Sequence, residues 1–189
     1  MKKTLLIVGI IVLILVVIPL MMVKGNYNRF VGLQEGVDAQ WANVETVLQR
    51  RFDLIPNLVN TVKGFAAQEK EVFTKVTELR SQWAAAGTPN EKVEVANQMQ
   101  GALGRLMLVA ENYPELKSNQ NFLALQEELA GTENRISVER RRYNDSVRSY
   151  NTAIRKFPGV IIANMFGFDK RTPFEASPEA VNTVPAVSF

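Results

Sequence analysis

"QRRFDLIPNLVNTVKGF", Gln49–Phe65, sets a proline inside a stretch that otherwise reads as helix. Val44 and Leu48 before it and Ile55, Leu58, Val62 and Phe65 around it keep the 3-4 spacing of one apolar helical face. A proline in a helix interior removes an N–H and clashes with the carbonyl four residues back, costing about 3 kcal/mol. In a first turn that penalty largely disappears. Asp53 is a competent N-cap, which places Pro56 in the first turn of a new helix. Asp53 and Pro56 therefore read as a joint between two helices. The unbroken phase favours a kink; a hairpin distributes the apolar stripes over an up-and-down bundle in which each is buried. The joint is left open, and the antiparallel bundle of about four long helices is the expected fold.

The pattern extends outward from this joint. Upstream it runs through Val37, Trp41, Val44 and Leu48. Downstream it resumes after Glu69 at Val72, Val76, Leu79 and Trp83, so that only Arg51 and Glu69 interrupt it. No stretch alternates with period two, and the fold class is all-α. "AAAGTPNEKV" marks a boundary with Gly87 suited to C′, Thr88 to N-cap, Pro89 to the first helical position and Glu91 completing a capping box. The helix that follows carries Val93, Ala96, Met99, Leu103, Leu106 and Ala110. Gly101 and Gly104 inside it are read as sites of close packing. "ENYPELKSNQNF" is the next connection, where Pro114 forces Tyr113 out of the helix and Ser118 or Asn119 caps the last long element. That helix runs to about Phe157 on a stripe of Phe122, Leu125, Leu129, Thr132, Ile136, Arg140, Tyr143, Val147, Tyr150, Ile154 and Phe157. Its phase slips by one between Thr132 and Arg140, a stutter-like feature of coiled coils.

After Pro158-Gly159, the segment Val160–Phe168 is too short to cross a bilayer. Val160, Ile161, Ile162, Met165, Phe166 and Phe168 cap the bundle, lie at a membrane surface, or meet a second subunit. Prolines 173, 178 and 185 without periodicity mark residues 169–189 as an extended, flexible tail. The expected organisation is thus an anchor over 1–24, a bundle over 27–168 and the tail.

The anchor is Leu5–Val23, "LLIVGIIVLILVVIPLMMV", which lacks any charge. As a helix it is about 28 Å long, close to the ~30 Å hydrocarbon core of a bilayer. It exceeds the ~7–15 residues of a signal-peptide core, and no small-x-small cleavage site follows. An uncleaved single-pass signal-anchor is expected. Lys2, Lys3 and the amino group face Lys24 and Arg29 across the span, a bias that leans toward an N-terminus inside.

Composition removes several function classes. Lys and Arg number 22 against 19 Asp and Glu, and the excess is scattered, which does not make a nucleic-acid footprint. With no Cys and no His, the commonest metal ligands and the commonest general base are missing. No phosphate loop or nucleophile elbow occurs, and the adjacent Glu127 and Glu128 diverge by about 100° on a helix. No cofactor, metal or catalytic residue is assigned, and the chain is not expected to be an enzyme.

The seam charges Arg51, Glu69 and Arg140 are the sharpest candidate site residues, read as ion-pair or register residues because a buried charge is costly unless paired. Glu133 or Glu139 is the expected mate of Arg51, and Arg140 or Arg135 that of Glu69. The amides Asn112, Asn119, Gln120 and Asn121 beside Tyr113 are read as satisfying helix ends. Asn144 and Asn151 are read as bonding between helices.

"NYNRF", "WANVETVLQRRFDLIPNLVNTVKGFAAQE", "ENYPELKSNQNFLALQEELAGTENRI", "RRRYNDSVRSYNTAIRKFP" and a final "FE" follow the membrane helix in this order. In these blocks the chain resembles the LemA family of bacterial membrane proteins over nearly its whole length. The resemblance implies a helical bundle on one membrane helix and supplies no reaction. It also implies a short N-terminus on the outer side, opposite to the charge bias, so orientation stays open.

Two functional readings follow. One is a membrane-anchored scaffold that self-associates or holds an envelope or membrane protein at the bilayer. The other is a ligand- or stress-sensing envelope module with a polar pocket between helices at Arg51, Glu69 or Arg140.

Overall fold

In the computed structural model, which describes residues 2–175 with the side chains of residues 2–9, 11, 12 and 14 set aside, no strand occurs among the described residues. Six helices follow one another: α1 (Lys2–Lys63), α2 (Lys70–Ala85), α3 (Pro89–Glu111), α4 (Pro114–Lys117), α5 (Gln120–Arg155) and α6 (Gly159–Phe166). The described chain divides into two compact units, one from the residues up to Gln40 with Asn144–Thr172, the other from Trp41–Tyr143 with the described residues from Pro173 on.

The larger unit is an antiparallel bundle. Lys63 Nζ lies over the Phe73 ring, and the Trp83 indole N–H donates to Gln49 Oε1 at 2.9 Å, so α2 runs back along α1. Phe52 stacks on Trp83 at 4.5 Å between centroids. On α5, Glu128 pairs with Arg50 and Tyr143 meets Trp41 edge-on, so α5 is also antiparallel to α1. The core holds Val44, Leu48, Phe52, Ile55, Leu58 and Val62 from α1, with Phe73, Val76, Leu79 and Trp83 from α2. Met99, Leu103 and Leu106 from α3 and Phe122, Leu129 and Ile136 from α5 complete it. Most stripe residues are inside, but Phe73 replaces Val72 as the first inward residue of α2, Val95 replaces Val93 on α3, and Trp41, Phe65, Leu125 and Arg140 are only half-buried.

No hairpin forms at Asp53 and Pro56. Helix α1 continues through both, and Asp53 accepts from Gln49 Nε2 at 2.8 Å as an ordinary neighbour one turn on, not as an N-cap. Burial decides the matter. Phe52, Ile55, Leu58, Val59 and Val62 are all inside, and at about 1.5–3 kcal/mol each they outweigh the ~3 kcal/mol of a helix-interior proline. The chain reverses instead at Gly64–Glu69, where Phe65 and Ala66 donate to the Val62 carbonyl. Ala66 is buried within this turn, which is why the apolar phase runs on undisturbed across a true reversal.

The other boundaries fall where the sequence places them. Thr88 and Glu91 form a complete capping box with Pro89 opening α3, and Asn119 Oδ1 accepts from the Phe122 N–H at 3.1 Å to start α5. Gly87 is not left-handed; among the described residues only Gly167 has positive φ, at 72°. Gly104 is a correction: a Cβ there meets nothing within 4 Å, and Gly101 and Gly104 are both exposed. Phe157, the last expected stripe residue, points outward.

In the smaller unit α6 lies against α1. Gly159 sits so close to Phe30 that an added Cβ would be 2.8 Å from its Cζ. The Phe166 and Phe168 rings meet Tyr27 edge-on at 5.0 and 5.5 Å. Part of the expected flexible tail is held. The Tyr150 hydroxyl donates to the Asp169 carbonyl at 2.9 Å. Asn151 grips Arg171 twice, Nδ2 donating to its carbonyl at 2.8 Å and Oδ1 accepting its N–H at 2.9 Å. Asn151 thus bonds to the tail backbone rather than to a neighbouring helix. The remainder of the tail, 176–189, lies outside the described residues.

Candidate functional site

Arg51 is the one charged side chain among the described residues that is buried. It reaches the inside because α1 keeps its helical phase: the position falls on the same face as Leu48, Ile55 and Leu58. Its guanidinium pairs with Glu133 of α5, one of the two mates expected. Burial pulls the Arg51 pKa down to about 10. A neighbouring carboxylate pushes an arginine the other way, so loss of hydration is the stronger influence here. The Arg51 Nε is buried without a hydrogen-bond partner.

A cavity of about 240 Å³ opens beside this pair. Gln100, Leu103, Gly104 and Met107 of α3 and Gln126 and Leu129 of α5 line it together with Arg51 and Glu133. The lining combines one cation, one anion and two amides with apolar side chains, which suits a small polar molecule or ordered water.

The other seam charges are elsewhere. Glu69 is half-buried at the N-cap position of α2, makes no side-chain cap bond, and has no ion-pair partner among the described residues. The structure gives it neither Arg140 nor Arg135. Arg140 lies over the ring of Phe174 at 5.6 Å, a cation–π contact in place of an ion pair. Glu139, the alternative mate of Arg51, binds Arg142 at 2.7 Å. The three charges therefore do not converge on one pocket.

Of the amide cluster, the Asn119 side chain caps α5, while Asn112 stands at the C-cap of α3 with its backbone N–H donating to the last turn. Glu127 and Glu128 diverge, and Glu128 is taken by Arg50. Two broad open clefts of about 670 and 800 Å³ flank α2. Their charged groups, among them Lys70, Glu71, Glu78 and Arg105, mix signs on an exposed surface. Among the described residues no group of three or more Asp and Glu could hold a metal ion.

Of the six residues expected at a membrane or subunit contact, Ile162 is buried against its own chain, Val160 and Phe168 are half-buried, and Ile161, Met165 and Phe166 are exposed. The grip of Asn151 on Arg171 and the ion pair of Arg171 with Asp38 at 3.3 Å were not anticipated. An amide facing inward near a helix end, with a polar chain some twenty residues on, is the only signal that could have pointed to them.

Among the described residues no helix is long and apolar enough to cross a membrane. Much of the Leu5–Val23 run expected to do so falls on residues whose side chains lie outside those described.

The chain has relatives among known proteins. The magnetosome proteins MamQ 1 and MamQ 2 of Paramagnetospirillum magneticum are each 30% identical to it over 179 residues, 81% of this chain and 66% of theirs. The chain thus spans just under two thirds of the length of these relatives. Protein LemA of Metamycoplasma hominis is 24% identical over 154 residues, 81% of this chain and 70% of its own. The family model for LemA matches residues 40–189, which take in the bundle helices, Arg51 and the Phe174-Glu175 pair. The chain belongs to the LemA family.

Proposed function

We propose that this protein is a membrane-anchored helical scaffold of the bacterial inner membrane that self-associates or holds a membrane or envelope protein. The carrying observation is the exposure of α1. Leu13, Leu15, Val16, Val17, Ile18, Leu20 and Met21 all project into open space. Successive helical residues turn by about 100°, so these side chains cover every face. A helix apolar all round needs lipid or protein about it. With the preceding residues of Leu5–Val23, the run has the length of a bilayer core. The same helix continues into the seam of the bundle. The relatives' names, magnetosome protein and LemA, fit a bacterial membrane setting and bring no reaction with them.

The test is fractionation of the full chain from bacteria, followed by crosslinking in the native membranes and sizing in mild detergent. The protein should stay with membranes after an alkaline carbonate wash and should form crosslinked species larger than one chain. Recovery in the soluble fraction removes the anchor. A strictly monomeric particle with no companion removes the scaffold.

The cavity beside Arg51 favours a second reading, a sensing module that takes a small polar ligand between α3 and α5. It differs in its outcome: ligand would raise the unfolding temperature of the wild type and leave Arg51→Met unchanged.

A further inference from the structure

Helix α6 contains a single polar residue, Asn164, in the run Gly159–Phe166. Its inner face is used: Ile162 and Ala163 are buried, and Gly159 lies on Phe30. Its outer face is not used. Ile161, one turn before Met165, is 54% exposed, and Met165 is 66% exposed. Phe166 rests against Tyr27 yet stays 48% exposed. An eight-residue helix that is apolar on both sides is incompletely covered.

Its position suggests what covers it. Gly159 is at the level of Phe30 and Phe166 at the level of Tyr27, so α6 descends along α1 toward the apolar N-terminal run. Tyr27 follows Val23, the end of that run, by four residues, about 6 Å along the helix axis. The headgroup region of one leaflet is ~5–8 Å deep. Phe166, level with Tyr27, therefore stands within the headgroup layer, the depth at which aromatic side chains collect, and Met165 is next to it in sequence. Lys24, Arg29, Arg148, Arg155, Lys156 and Lys170 are exposed in the same unit, against Glu35, Asp38, Asp145 and Asp169. This excess of cations suits an anionic phospholipid surface.

We propose that α6 is an interfacial foot, inserting Ile161, Met165 and Phe166 into the headgroup layer of the leaflet through which α1 emerges. The proposal rests on the anchored reading of α1. It fixes one end of the extramembrane chain at the lipid surface by a second contact, independent of the spanning helix.

The absence of native cysteine allows clean single-site labelling. Full-length Met165→Cys, Ile161→Cys, Leu13→Cys and Ser81→Cys are spin-labelled and reconstituted in vesicles of phosphatidylethanolamine and phosphatidylglycerol. Collision with oxygen and with a water-soluble nickel chelate is then compared. Labels at 161 and 165 should meet chelate several-fold less often than the label at 81, with oxygen contact between those of 81 and 13. Chelate access at 165 equal to that at 81, with 13 buried in lipid, overturns the foot and leaves the anchor standing. Low access to both reagents together with spin–spin broadening at 165 assigns the face to a second copy and also overturns it. Chelate access at 13 removes the anchor itself and the foot with it.

Discussion

Arg51 is only 5% exposed, whereas the side chain of Glu133 that pairs with it keeps 43% of its surface in water. The two partners consequently differ in what their removal does. Removing the anion leaves a buried cation unpaired, an event that costs about 3–5 kcal/mol when both partners are sealed inside. Water can reach the position that Glu133 vacates, so Glu133→Gln should cost about 1–2 kcal/mol. Removing the cation abolishes the desolvation penalty, so Arg51→Met should lie between no change and a gain of about 2 kcal/mol. Urea unfolding of the full chain in mild detergent distinguishes the two; a larger loss for Arg51→Met than for Glu133→Gln would contradict this account.

The same pair sets a pH dependence. Burial lowers the Arg51 pKa to about 10 in the folded chain, below its unfolded value. Between those two values the unfolded state binds more protons, so stability at this site rises with pH in that window. Below pH ~10 the penalty is constant. The stability difference between Arg51→Met and wild type should therefore be flat at neutral pH and shrink above about pH 10. A difference that widens there would reverse the sign of the argument.

Two glycines should respond in opposite directions. Gly104 has open space where a Cβ would go, so Gly104→Ala should stabilise by about 0.5–1 kcal/mol through helix propensity and a less flexible unfolded chain. At Gly159 the Cβ would lie 2.8 Å from Phe30 Cζ and 2.9 Å from the Ala153 carbonyl oxygen. Overpacking of that kind costs about 1–3 kcal/mol. Thermal midpoints of the two variants, measured side by side, check both signs.

What the sequence disclosed depended on the range of the interaction. The box of Thr88 and Glu91 was legible because both partners lie within one turn. The burial of Arg51 followed from phase alone, and Glu133 was among the few acids on the facing helix. The turn at Gly64–Glu69 was hidden because Ala66 fills a core position within it. Pro56 drew attention instead, since its local cost is visible in sequence while the burial that offsets it belongs to the tertiary fold. The hold on the tail was not legible either: a side chain reading a backbone twenty residues away leaves no period.

Pro56 offers a direct measure of that offset. Its missing N–H removes the helical bond to the Phe52 carbonyl, yet Phe52 and Ile55 beside it are buried. Pro56 itself is half-buried, so truncation there sacrifices little packing. Pro56→Ala should restore the bond and raise stability by about 1–3 kcal/mol with no loss of helical signal in circular dichroism. A destabilised variant would mean that a bend at this proline is needed for the bundle to close.

The tail beyond α6 is held through Asn151, whose amide donates to the Arg171 carbonyl and accepts from the Arg171 N–H. Both bonds are part-buried, and each is of the kind worth about 0.5–1.5 kcal/mol. Asn151→Ala removes both and should speed hydrogen exchange at the Arg171 amide by roughly tenfold. Asn151→Asp keeps an oxygen for the Arg171 N–H but loses the donor to the carbonyl, so the same amide should remain protected. The two variants separate the direction of the bonds from mere bulk at the site. Equal protection in Asn151→Ala and wild type would show that Tyr150 on the Asp169 carbonyl and Asp38 on the Arg171 guanidinium hold this segment unaided.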